Sequence, residues 1–80
     1  MVRRDGAEVR RDRIQTIAQY IQKELYKSPN GWILLNKTIA ILMLEHGLTR
    51  GKLMEYLEIL QVADYFEIDV ENDKIKKIHG

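Results

Sequence analysis

The chain has 80 residues, 45% of them hydrophobic and 31% charged, which is the composition of one globular domain rather than of a disordered tail. It contains no cysteine, which excludes disulfides, thiolate nucleophiles and cysteine-ligated zinc. The net charge of +1 hides an asymmetry: residues 1–52 carry ten Lys/Arg against five Asp/Glu, and residues 53–80 carry three against seven. The basic front half is the part that would concentrate polyanions around it. Its first stretch, "MVRRDGAEVRRDR", is too polar for a signal peptide or a membrane anchor, so a cytoplasmic protein without membrane contact is expected. Residues 1–10 are expected to form a flexible basic arm, and residues 11–80 the folded domain.

From Arg11 to Lys27, Ile14, Ile17, Ala18, Ile21 and Leu25 recur at spacings of three and four, one stripe of an amphipathic helix. "SPNG" at 28–31 ends it, since proline disfavours helix in the residue before it and Asn-Gly is turn chemistry. "WILL" at 32–35 is a short apolar run that fits one buried strand. A second helix starts at Asn36 or Lys37, with the Asn36 side chain as its cap. Ile39, Ala40, Met43 and Leu44 form the expected core stripe of this helix, and His46-Gly47 stops it. The third helix begins after Thr49, buries Leu53, Leu57 and Leu60, and ends near Val62.

"YFEIDVENDKIKKI" alternates Phe66, Ile68 and Val70 with Glu67, Asp69 and Glu71, a two-residue period that indicates a strand. With Asn72-Asp73 as a two-residue tip, Glu71 opposes Lys74, Val70 opposes Ile75 and Asp69 opposes Lys76. Extending that register sets Lys77 against Ile68, so a bulge is expected near Lys77.

The order helix, strand, helix, helix, strand, strand defines an α+β fold with a C-terminal hairpin. From about Arg11 to Ile78 the chain resembles the winged helix-turn-helix family. "NKTIAILMLEHG" matches the second helix, "LT" the turn, "RGKLMEYLEIL" the recognition helix and "YFEIDVENDKIKKI" the wing. "GLTRGKLMEYLEILQVADYFEID" is most similar to small archaeal transcriptional regulators. The resemblance implies a duplex DNA-binding protein that inserts the start of the third helix into the major groove. The residues it points to there are Thr49, Arg50, Gly51 and Lys52, with Tyr56 one turn on. Arg10 and Arg11, together with Arg3, Arg4 and Arg13, offer phosphate contacts from the arm. Lys37 offers one with the N-terminal amides of the second helix, and Lys74 one from the wing.

Two features oppose this reading. Lys74 and Lys76 are expected to be neutralised across the hairpin by Glu71 and Asp69, and Glu55 and Glu58 add negative charge along the third helix. The alternative is a winged helix that binds a protein through its acidic wing, without DNA recognition. A homodimer is expected in the DNA-binding case, because a two-fold pair doubles the phosphate contacts. Tyr20 and Tyr26 on the first helix are its expected contribution to self-association. Tyr20 and Trp32 read as core or interface aromatics rather than stacking platforms. His46 and His79 are isolated, the glycines form no phosphate loop and no acidic cluster converges. No enzyme activity, metal, cofactor or small-molecule substrate is therefore expected.

Overall fold

The computed structural model describes the backbone of residues 6–78 and the side chains of residues 11–78. Arg3 and Arg4, the Arg10 side chain and His79 lie outside the described residues. The first apolar stripe lies on α1, Gly6–Lys27, which begins at Gly6 rather than Arg11, so residues 6–10 of the expected arm are helical. Ile17, Ala18, Ile21 and Leu25 are buried and Ile14 packs beside them. After the helix, the Ser28 hydroxyl donates to the Trp32 carbonyl at 2.7 Å. Gly31 then turns the chain at φ 77°, a conformation glycine adopts without steric penalty.

β1, Trp32–Leu34, runs directly into α2, Leu35–His46. Gly47, at φ 62°, ends α2 in the left-handed conformation. Thr49 caps α3, Arg50–Val62, by accepting the Lys52 N–H at 3.2 Å. Leu53, Leu57 and Leu60 are buried as their spacing predicts. At the far end of α3, Asp64 takes φ 64°, and the fully buried Phe66 leads into β2, Glu67–Asp69, and β3, Lys74–Lys76. The three strands form an antiparallel sheet in the order β1-β3-β2. Ile75 on the central strand sits opposite Ile33 on one side and Ile68 on the other. Among the described residues no helix is long and apolar enough to cross a membrane.

The structure corrects four expectations. β1 is an edge strand, half-buried with Leu34 exposed, not a buried one. Asn36 is not the cap of α2. The cap position is Leu34, whose side chain has no acceptor to offer. The acceptors come from the hairpin: the Leu35 N–H donates to the Asp73 carbonyl at 2.9 Å, and the Asn36 N–H donates to Asp73 Oδ1 at 2.7 Å.

The apolar stripe of α2 is also rotated. Leu35, Thr38, Ile39 and Leu42 are buried, whereas Ala40 is exposed and Leu44 is 86% exposed. Ile39 is buried and Met43 packs against the core as expected, but both sides of this helix are apolar, so periodicity alone does not show that Ala40 and Leu44 face outward.

The hairpin register differs by two residues: Asp69 opposes Lys74, not Lys76, and residues 70–73 form the loop. The Asp69 carboxylate closes that loop by accepting the Asn72 backbone N–H at 3.2 Å and its side-chain Nδ2 at 2.7 Å. A slip of two keeps every side chain on its own face, so the alternation cannot detect it. Val70 is consequently in the loop and 69% exposed, and Glu71 is unpaired with Lys74. Ile68 meets Ile75 in regular pairing, and the expected bulge is replaced by a Lys77 N–H bond to the Gly31 carbonyl at 2.9 Å.

Asp73 serves the hairpin and α2 together, and its φ of 56° suits Asp or Asn far better than other non-glycine residues. Asp73→Ala is expected to destabilise the fold by about 1–2 kcal/mol in urea unfolding, the cost of a lost cap. Asp73→Asn, which keeps an acceptor and tolerates this φ, should lose less than half as much. Equal losses in the two variants would show that the carboxylate charge, not the cap geometry, matters.

Candidate nucleic-acid interface

The starts of α2 and α3 meet at one polar junction. Thr49 capping projects Arg50, Gly51 and Lys52 into solvent in the first turn of α3, and all three are exposed. Arg50 Nη2 donates to Asn36 Oδ1 at 2.8 Å, and Asn36 is the residue whose N–H is held by Asp73. The wing, α2 and α3 are thus joined through Asp73, Asn36 and Arg50. Among the described residues Arg50 has no carboxylate in ion-pair range, so its charge remains available to an anion. Gly51 has open space where a Cβ would project and no positive φ. It leaves the first turn low-profile but is not required by the backbone.

Lys52 is less free. Its Nζ lies 3.4 Å from Glu55 Oε2 and 5.7 Å from the centre of the Tyr56 ring. Tyr56 itself is only 4% exposed and belongs to the core, which corrects its expected place among groove-facing residues. Beyond the first turn, Glu55 and Glu58 line a cleft between α3 and the wing, floored by Met54 and Ile68. This stretch repels phosphates.

The remaining expected contacts lie elsewhere. Lys37 is exposed but lines a cleft with Tyr20, Trp32 and Ile41, between α1, β1 and α2. Two of the N-terminal amides of α2 expected to assist it, those of Leu35 and Asn36, are already taken by Asp73. Lys74 Nζ stands 4.4 Å from the centre of the Trp32 ring, a cation–π contact rather than the expected pair with Glu71. Lys76 is neutralised by Asp69 as expected, at 3.2 Å, although diagonally rather than directly opposite. Arg11 is exposed on α1. The sequence marks Asn36 at the start of the second helix and Asp73 at the hairpin tip, but no local pattern marks their contact with each other, which spans 37 residues.

Comparison with protein-family models, with curated proteins and with solved structures gave no match.

The wing loop depends on one carboxylate. The Asn72 side chain first, and Lys76 next, hold the Asp69 carboxyl below its ordinary value of 3.8. A depressed carboxyl stabilises the fold above the ordinary range, and the contribution disappears as pH falls through the folded value. In an NMR titration Asp69 is expected to protonate below its ordinary value. Asn72→Ala and Lys76→Met should each bring it back toward normal, and an Asp69 titration unmoved by Asn72→Ala would show that the loop hydrogen bond does not hold the carboxyl down.

Proposed function

We propose that the protein is a winged-helix module, a transcriptional regulator that binds duplex DNA with the first turn of α3. The observation that carries this reading is Arg50: an exposed cation with no carboxylate partner among the described residues, held at 2.8 Å by Asn36 at the start of a threonine-capped helix. The helix order and the β1-β3-β2 sheet are compatible with a winged-helix layout, with α2, the Gly47–Thr49 turn and α3 as the helix-turn-helix. An α-helix about 10–12 Å across fits the major groove, where an arginine donates two hydrogen bonds to guanine O6 and N7. Arg50 is the base-reading residue in this proposal. Lys52 and the exposed Arg11 contact phosphates, and Thr49 and Gly51 allow the backbone to approach. Lys74, occupied with Trp32, contributes little.

A second reading is favoured by Glu55 and Glu58, by Val62, which is 77% exposed, and by Val70 across the cleft. An acidic, partly apolar α3 flank suits a protein partner, and DNA recognition is then absent. Salt dependence separates the two, because neutralising phosphates makes log K fall steeply with log salt, whereas the protein-binding module is not retained on DNA at low salt.

Binding to random and selected duplexes, followed by fluorescence anisotropy at several salt concentrations, tests the proposal. Arg50→Ala is expected to leave the melting temperature nearly unchanged, since exposed substitutions stay within about 0.5 kcal/mol. It should cost about 1–3 kcal/mol of binding to the selected sequence. Lys52→Ala should weaken all sequences alike and reduce the salt slope by less than one unit, because Glu55 already shares its charge. If the Arg50→Ala/Lys52→Ala double variant binds every duplex as tightly as the parent, the DNA-binding reading fails.

A further inference from the structure

The outward face of α2 carries an apolar stripe that the monomer leaves uncovered: Ala40 is exposed, Ile41 half-buried and Leu44 86% exposed. Beside it lies a cleft of about 270 Å³ lined by Tyr20, Trp32, Leu34, Lys37, Thr38 and Ile41. The stripe is flanked by charges of opposite sign, the exposed Lys37 and Glu45. Neither forms an ion pair with another described residue. Glu45 sits close enough to Tyr20 that its charge, after burial and Glu24, helps to raise the phenol above its ordinary 10.0.

These positions are symmetric along the helix. Lys37 precedes Ile41 by four residues and Glu45 follows it by four (41 − 37 = 45 − 41). If two copies of α2 lie antiparallel about a two-fold axis at Ile41, each Lys37 faces the Glu45 of the other copy, and two ion pairs form from one symmetric contact. The same operation places each Leu44, three residues after Ile41, at the level of Thr38, three residues before it. Thr38 is buried in the floor of the cleft. A cavity left by one deleted leucine side chain is on the order of 150 Å³, so the cleft has room for Leu44. A single two-fold operation thus brings each Leu44 to the level of the other copy's cleft and each Lys37 to the level of the other copy's Glu45.

We propose that this face binds a second copy of the chain, forming a homodimer through antiparallel α2 helices in which each Leu44 fills the other copy's cleft. This surface replaces α1, with Tyr20 and the 85%-exposed Tyr26, as the principal contact, although Tyr20 still takes part through the cleft wall. The inference does not depend on DNA binding, because it rests on the shape and charge of α2 and its neighbours alone.

Sedimentation equilibrium with the full chain tests it. The parent is expected to sediment as a dimer of the 9.4 kDa chain at micromolar concentration. Leu44→Ser should raise the dissociation constant roughly tenfold or more, as expected for withdrawing a buried leucine, while circular dichroism remains unchanged. Lys37→Glu and Glu45→Lys place like charges opposite each other and should each weaken the dimer. In an equimolar mixture of these two variants, the carboxylate introduced at position 37 of one faces the ammonium introduced at position 45 of the other. At the opposite end the unaltered Glu45 of the first faces the unaltered Lys37 of the second, so the mixture should dimerise again. A parent that stays monomeric up to millimolar concentration would overturn the proposal. So would a dimer indifferent to Leu44→Ser, or a mixture no more associated than its components.

Discussion

Asp73 is the residue on which the arrangement of the other elements depends. Its carbonyl and its carboxylate accept the first two N–H groups of α2, the end of a helix whose own cap position is a leucine. Buried or half-buried helix ends left without partners are costly, so this one residue secures the junction of the hairpin with the helical layer. It does so from a left-handed conformation at the end of a four-residue loop. That loop length sets the register in which Ile75 lies opposite Ile68. Asn36, held by Asp73, in turn accepts from Arg50. One residue therefore joins the hairpin to the start of α2 and, through a further bond, to the exposed cation at the start of α3.

The electrostatics of α3 divide it into two parts with different chemistry. Its first turn offers Arg50 and a partly neutralised Lys52, and its middle offers Glu55 and Glu58. Long-range attraction to a polyanion is consequently local to the helix start, and deep insertion of the whole helix into a groove would place carboxylates against phosphates. The wing does not compensate. One of its lysines is paired with Asp69 and the other lies over Trp32, so neither is an unopposed charge at the edge of the sheet. The proposed DNA contact is thus small, and a two-fold pair of such contacts is the arrangement in which it gains affinity.

Much of the fold is legible in the sequence where a local rule is sufficient. The α1 stripe, the Gly47 stop, the Thr49 cap and the leucines of α3 are all signals contained within one or two helical turns. The failures have equally specific causes. Ala40 and Leu44 read as core because α2 is apolar on two sides, and only the placement of α1 and the sheet decides which side is covered. The expected hairpin register is off by two because such a slip conserves the facing of every residue, while the bonds from Asn72 to Asp69 that select the longer loop have no signature in the alternation. Tyr56 reads as a surface residue although it lies one position before Leu57, and both are buried. Of the candidate site, Arg50, Gly51 and Lys52 follow from the helix start alone. Asn36 and Asp73 do not, because their contact joins residues far apart in the chain.

Whether the junction of wing, α2 and α3 meets DNA is read out by amide chemical-shift mapping of the isotope-labelled protein on addition of a random-sequence duplex at low salt. Changes are expected to concentrate at Asn36, Asp73 and residues 49–52, while Glu58 through Val62 move little. Changes confined to the acidic flank of α3, or a spectrum unaltered by excess duplex, would contradict DNA recognition through this junction.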